Sequence, residues 1–221
     1  MISRIAPEGA HLSDEELRAF VGQAFADAPV DGRKILFVIP DSTRSMPMPA
    51  MFRALCATLS GRAAQVDFLV ALGTHPPMSE EALNRLLGIS AEERQGVYRD
   101  VGVYNHEWQN PEALAFIGTL DEDEIARLSN GLMRQSARVM VNKRLMDYDL
   151  VCIVGPVFPH EVVGFSGGNK YFFPGVAGEE ILNLFHWLGA LITNPKINGT
   201  KDTRVRAVVN RAASLIPVEK R

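Results

Sequence analysis

Three short apolar segments, each followed by a polar loop, constrain the fold more than any other feature of this 221-residue sequence. They cover residues 34–40 (KILFVIP), 65–72 (QVDFLVAL) and 150–155 (LVCIVG). Segments of this length, rich in Val, Ile, Leu and Phe, are typical of strands that are buried on both faces. Because helical patterns alternate with them, they predict an α/β fold with a largely parallel sheet and helices on both faces.

The helical patterns have recognisable starts. Ser13 opens an S-x-x-E pattern, a capping box that predicts a helix ending near residue 27. Apolar residues at helical spacing predict a second helix over 49–60 and a third over 79–87, with Ser79 as its N-cap. A fourth helix is predicted from Glu179, whereas the middle of the chain shows only polar helix-like stretches.

Charge and apolar content limit the functions that this chain can have. Its formal net charge is −3 and its Lys and Arg residues are scattered, so we expect no nucleic-acid partner and no anionic membrane surface. No apolar run reaches about 18 residues, and the N-terminal MISRIAPEGA lacks the apolar core of a signal peptide. Cys56 and Cys152 lie in apolar sequence, which is typical of buried thiols in a reducing compartment. We therefore expect a cytoplasmic protein without a membrane segment.

A glycine-rich stretch over residues 159–186 follows the third strand. Its glycines are Gly164, Gly167, Gly168, Gly175 and Gly178. Backbone N–H groups there, together with Lys170, could converge on an anionic group such as a phosphate. The stretch is not a P-loop, because Asn169 precedes the lysine and Tyr171 follows it, and its glycine spacing does not fit the G-x-G-x-x-G dinucleotide fingerprint.

Polar side chains follow each of the three predicted strands. They are Asp41, Thr43 and Arg44 after the first strand, Thr74 and His75 after the second, and His160 and Lys170 after the third. The carboxyl ends of parallel strands meet at one edge of the sheet, where ligands of α/β proteins bind. We therefore expect these side chains to form one site.

Each of these residues also has a structural explanation when it is taken alone. His75 could cap a turn, His160 could bond to the backbone, and Asp41 with Arg44 could form an internally satisfied ion pair. A single histidine on a helix, such as His186, is more simply a packing residue.

A zinc site is the chemical rival. His75, His160 and His186 could converge on a metal ion, as three histidines do in some zinc hydrolases. That hypothesis leaves Lys170 and the glycines without a role.

Several motifs of this sequence occur in an order that resembles the lactate racemase family. They are DSTR at 41–44, GTHP at 73–76, PH at 159–160, SGGNK at 166–170 and PGVAG at 174–178. The resemblance extends over about residues 36–192. It implies a Rossmann-like N-terminal domain, which we expect over residues 1–200, and it places the start of a connection to a second domain, absent from this chain, at 201–221.

The resemblance also implies a cofactor, a nickel-pincer nucleotide that maturation proteins make. It implies that Lys170 is the point of covalent attachment and that His186 binds the nickel. Further residues implied to bind the cofactor are Thr43, Ser166, Gly167 and Gly168. The implied catalytic residues are His75 and His160 as an acid/base pair, Arg44 as the partner of the substrate carboxylate, and Asp41 in the same loop.

The chemistry implied is racemisation or epimerisation of a lactate-like 2-hydroxy acid. The C–H bond at Cα has low acidity, so it breaks more readily as hydride loss while a base removes the hydroxyl proton. One base is needed for each enantiomer, and histidine titrates in the required range. The alternative is a nucleotide- or metal-binding module without catalysis. We expect the chain alone to be inactive, because a second domain or partner chain is needed to exclude water.

Overall fold

The computed structural model describes residues 2–221. Its helices are α1 (Asp14–Phe25), α2 (Met48–Leu59), α3 (Glu80–Leu87), α4 (Ala91–Gln95), α5 (Glu122–Ser129), α6 (Glu179–Ile192), α7 (Asn194–Ile197) and α8 (Arg204–Ser214). Its strands are β1 (Lys34–Ile39), β2 (Gln65–Val70), β3 (Val103–Asn105), β4 (Leu114–Leu120), β5 (Ala137–Asn142), β6 (Leu150–Ile153), β7 (Pro159–His160), β8 (Gly164–Phe165) and β9 (Glu219–Lys220).

A five-stranded parallel sheet organises the fold. The strand order is β3-β2-β1-β6-β9, and every neighbouring pair is parallel. The three predicted strands therefore lie side by side at its centre, with β1 between β2 and β6. The predicted α/β fold with a largely parallel sheet is confirmed.

Strand β1 shows why helices must cover both faces of the sheet. Its side chains alternate, so that Ile35, Phe37 and Ile39 face one core and Leu36 and Val38 face the other. Helices α1 and α2 supply apolar side chains to the first core, and α6 and α8 supply them to the second.

The predicted helix starts agree with the observed caps. Ser13 accepts the backbone N–H of Glu16, whose side chain in turn accepts the backbone N–H of Ser13. Ser79 accepts the backbone N–H of Ala82 at the start of α3. These bonds satisfy donors that have no partner within the helix, and each cap contributes about 1 kcal/mol.

A separate two-stranded antiparallel sheet of β4 and β5 was not predicted. Strand β4 is only partly buried and is interrupted by a bulge between Phe116 and Gly118, so its apolar alternation is weak. This small sheet contacts the glycine-rich stretch through a bridge between Val141 and Ala177 and a hydrogen bond of 2.9 Å from Gly178 N to Met140 O. It therefore buttresses the segment that carries Lys170.

Residues 201–221 pack on the same α/β body. Val205, Val208 and Val209 of α8 are fully buried, and β9 pairs with β6 at the edge of the sheet. The structure thus shows no boundary at residue 200, where the sequence predicts the start of a connection. Whether this segment leads to a second domain stays a prediction.

Among residues 2–221, none of the helices has the length and apolar character that crossing a bilayer requires. Cys56 and Cys152 are both free thiols, and Cys152 is buried.

Candidate functional site

A cavity of about 200 Å³ lies beyond the carboxyl ends of β1, β2 and β6. The predicted site residues that line it are Asp41, Arg44, Thr74, His75, His160, Ser166, Lys170 and His186. Thr43, Gly167 and Gly168 do not line it. The loops that follow the three central strands therefore meet around one cavity, and the roles of their side chains stay predictions.

The loop after β1 is organised by the Asp41 carboxylate. Asp41 is buried, and its Oδ1 accepts hydrogen bonds from the Thr43 backbone N–H at 3.0 Å and from the Thr43 hydroxyl at 2.5 Å. Arg44 Nη1 donates to the same hydroxyl oxygen at 3.0 Å. Burial alone would raise the pKa of Asp41, but the bonds from Thr43 and His75 outweigh it and hold the pKa below its usual value. Thr43 thus holds Asp41 and Arg44 by hydrogen bonds without lining the cavity itself.

His75 pairs with the other oxygen of this carboxylate. Its Nδ1 lies in hydrogen-bond contact with Asp41 Oδ2. The ionised carboxylate can only accept, so Nδ1 carries the proton, and in the neutral ring the lone pair is on Nε2. A carboxylate that fixes the tautomer and orientation of an imidazole in this way is a common arrangement for a general base.

His160 has the opposite arrangement. Its Nδ1 accepts the backbone N–H of Val162 at 3.1 Å, so the neutral ring carries its proton on Nε2. Burial, followed by the positive charge of Lys170, lowers the pKa of His160 to about 4. The two histidines therefore differ in the atom that bears the proton.

Two glycines of the glycine-rich stretch allow other segments of the chain to approach the backbone closely. Gly164 has a φ of +90°, and a Cβ there would lie 1.9 Å from the carbonyl oxygen of Thr200. Gly167 has a φ of +82°, and its Cβ would lie 2.4 Å from a methyl carbon of Val157. Both positions therefore require glycine for packing within the protein. Gly168 has open space around it.

Two polar side chains fix the loop that precedes Lys170. The Ser166 hydroxyl donates to Pro156 O at 3.1 Å and accepts the Phe158 N–H at 3.0 Å, so it is committed to the backbone. Arg206 of α8 donates to Phe165 O and, at 3.4 Å, to Gly167 O. The loop is thus held by a buttress from α8 that the sequence did not reveal.

Lys170 is half-buried in the cavity. Across residues 2–221, its Nζ makes neither a hydrogen bond nor an ion pair. Burial, followed by the charge of Arg44, lowers the pKa of Lys170 to about 8. A substantial fraction is therefore free amine near neutral pH, which is the nucleophilic form.

His186 extends from α6 into the same cavity. Its Nδ1–H donates to Leu182 O one turn earlier, at 2.8 Å, which leaves the lone pair of Nε2 free. Histidine ligands of metals usually have their second nitrogen engaged in this way. This geometry and the free Lys170 amine fit the implied cofactor, which needs one imidazole and one amine from the protein.

The zinc hypothesis requires a set of protein ligands that is not found. Within the part of the chain that the structure describes, no three or more His, Cys, Asp or Glu side chains are grouped so that they could hold a metal ion. The three histidines share the cavity without converging.

Two polar residues that line the cavity were not predicted from the sequence. Glu161 lines the cavity beside His160, and Tyr171 packs so closely on Gly155 that a Cβ there would lie 1.8 Å from its hydroxyl. Glu161 follows a predicted site residue directly, so its position was a usable signal. The contact of Tyr171 depends on tertiary packing.

Residues 6–198 match the family model of the lactate racemase N-terminal domain. Two curated lactate racemases are each 26% identical to this chain. The one from Thermoanaerobacterium thermosaccharolyticum aligns over 75% of this chain and 35% of its own length. The one from Lactiplantibacillus plantarum aligns over 73% of this chain and 34% of its own. The chain thus matches about a third of each curated relative.

Two solved structures are similar. A Thermotoga maritima protein superposes with a TM-score of 0.85 at 33% identity, over 97% of this chain and 51% of that one. The lactate racemase apoprotein of Thermoanaerobacterium thermosaccharolyticum superposes with a TM-score of 0.68 at 21% identity, over 91% of this chain and 47% of that one, which shows the shared fold. Because the family model spans most of the chain, this protein belongs to the lactate racemase family, in which it matches the N-terminal domain.

Proposed function

We propose that this chain is the cofactor-binding half of a racemase or epimerase of a lactate-like 2-hydroxy acid. The observation that carries the proposal is the cavity, where two histidines, a guanidinium, an unpaired amine and a further imidazole come together from separate loops and a helix. A second domain or a partner chain would close this cavity over the substrate. We propose a cytoplasmic location, because free thiols such as Cys56 and Cys152 are typical of a reducing compartment.

The two histidines would handle the hydroxyl proton. His75 is suited to accept it, because its Nε2 lone pair is free and Asp41 stabilises the imidazolium that forms. His160 would serve the other enantiomer. Arg44, held by Thr43, is suited to bind the substrate carboxylate with paired N–H donors.

Lys170 would carry the nickel-pincer nucleotide, and Nε2 of His186 would bind its nickel. When bound, that group supplies hydride chemistry at Cα of the substrate. The lowered pKa of Lys170 suits the amine to covalent attachment, and the carbonyl contacts of Arg206 fix the loop on which it sits. Ser166, Gly167 and Gly168 would shape the cofactor site through that loop.

A second candidate function is a nucleotide- or metal-binding module without catalysis. The unpaired amine of Lys170 and the imidazole of His186 suit such a module, because they could hold a ligand without any reaction at a substrate. This alternative predicts ligand binding without any exchange at Cα.

The attachment to Lys170 is tested by intact-mass analysis after co-expression with the cofactor maturation proteins. We expect an adduct on the wild-type chain and on Lys196→Ala, an exposed control, and none on Lys170→Ala. An adduct that survives Lys170→Ala would place the attachment elsewhere.

The reaction is tested with the cofactor-loaded chain together with its second domain or partner chain. A panel of 2-hydroxy acids deuterated at Cα should lose optical purity while keeping deuterium, because hydride does not exchange with water. His75→Asn and His160→Asn should each abolish the loss. If every substrate keeps its configuration, the binding-module hypothesis is favoured.

A further inference from the structure

Glu161 lies at the edge of the cavity, next to the second histidine of the proposed acid/base pair. Its Oε2 is 3.5 Å from Nδ1 of His160, and its side chain is 61% exposed, so it can rotate. The side chain of His160 is only 11% exposed. The carboxylate and the imidazole therefore stand close together, with the carboxylate on the solvent side.

In the tautomer that the structure shows, the neutral His160 ring does not use Glu161. Its Nδ1 accepts the Val162 N–H, and a deprotonated nitrogen facing a carboxylate gains nothing from it. The imidazolium form is different, because its Nδ1–H repels the Val162 N–H and needs an acceptor. The Glu161 carboxylate is the acceptor within reach.

The charges around His160 make such an acceptor necessary. Lys170, Arg44 and His186 all disfavour a positive charge on the ring, and Glu161 favours it. Among the described residues, Glu161 is the carboxylate that acts on this ring, and its own pKa lies below the usual value because of a backbone hydrogen bond, with His160 contributing.

We propose that Glu161 is a positioning residue that pairs with Nδ1–H of His160 whenever the ring is protonated, forming a second carboxylate–histidine pair opposite Asp41 and His75. This inference rests on the proposed function, in which His160 must act as an acid in one direction and a base in the other.

The protons balance as follows. The His160 imidazolium gives its Nε2 proton to the substrate oxygen and keeps Nδ1–H, which Glu161 accepts as a hydrogen bond. The ring is then the same tautomer as His75, with a lone pair on Nε2 that can take a hydroxyl proton in the reverse direction. After the substrate has left, the neutral ring returns to the Val162-bonded tautomer seen in the structure, so Glu161 is needed during the proton transfer itself.

The test uses the chain labelled with ¹⁵N in its histidine rings, without cofactor, so that it does not depend on catalysis. Ring nitrogen shifts are followed through the protonation of each histidine, with folding checked by the amide spectrum. The variants are Glu161→Gln, Glu161→Asp, Asp41→Asn and Glu112→Gln, the last being an exposed carboxylate outside the cavity.

We expect Glu161→Gln to lower the midpoint of His160 protonation by about half a unit, a roughly threefold change in the protonated fraction. This is less than the one to three units typical of a buried partner, because Glu161 is exposed. Glu161→Asp should restore part of the shift, and Asp41→Asn should change His75 while leaving His160 unaffected. An unchanged midpoint in Glu161→Gln, or an equal shift in Glu112→Gln, would overturn the proposal. These midpoints do not depend on catalysis. If they shift as expected while no 2-hydroxy acid is racemised, the proposed function fails and the pairing of Glu161 with His160 stands.

Discussion

Lys170 should be acylated far faster than an ordinary lysine. With a pKa of about 8, about a tenth of its side chains are free amine at pH 7, whereas a lysine at the ordinary 10.5 has about three in ten thousand. The ratio is about 300. A less basic amine is also a weaker nucleophile, and if amines follow the dependence known for thiols, this offsets about tenfold. A rate advantage of about 30-fold remains.

The assay is trace labelling with acetic anhydride, followed by peptide mass spectrometry. Lys201, which is exposed, serves as the reference in the same sample. The rate at Lys170 should level off above about pH 8, since the amine is then fully deprotonated. Arg44→Gln should slow the labelling at pH 7, because loss of that positive charge raises the pKa of Lys170. Labelling no faster than at Lys201, with no plateau near pH 8, would refute the reasoning.

Three further predictions concern stability. Burial lowers the pKa of His106 to about 4, so the neutral ring stabilises the fold fully above pH 6.5, and this stability is lost as pH falls towards 4. Urea unfolding should show that the free energy of unfolding falls by about 2 kcal/mol between pH 7 and 5. This loss should be absent in His106→Gln. Arg206→Met should lower the free energy of unfolding by about 1–3 kcal/mol, because two backbone carbonyls lose their donor; an unchanged denaturation midpoint would contradict this. Gly164→Ala should lower the free energy of unfolding by more than about 3 kcal/mol, since its Cβ meets a backbone oxygen. Gly168→Ala, in open space at a φ of +54°, should lower it by about 1–2 kcal/mol. Equal losses of stability in thermal unfolding would contradict the comparison.

The centre of the fold could be predicted because local and tertiary signals agree there. The strands at 34–39, 65–70 and 150–153 are buried on both faces, so their apolar runs identify them, and parallel pairing then brings their loops together. The antiparallel sheet of β4 and β5 was missed because its first strand is half-exposed and bulged. The packing of α8 on the sheet was missed as well, since nothing in its local sequence identifies its partner.

Within the site, residue types were predicted better than contacts. The sequence placed Asp41 and His75 in neighbouring loops, but the hydrogen bond between them depends on side-chain geometry. It also indicated phosphate contacts for the glycines, whereas Gly164 and Gly167 make close contacts within the chain itself. The buried ring of His106, bonded to Ala177 O at 3.0 Å, is structural, and no local pattern distinguishes it from the histidines of the cavity.

The division of proton transfer between His75 and His160 has a consequence for repeated turnover. In a racemase built on this cavity, one histidine ends each reaction with an extra proton and the other with one fewer, so the enzyme that releases product differs from the one that bound substrate. It is ready for the product enantiomer, and it must exchange protons with solvent before it accepts the original enantiomer again. The protein would therefore keep the protonation state that its last reaction left. At high substrate concentration, proton exchange with solvent through the exposed edge of the cavity would limit the rate of turnover.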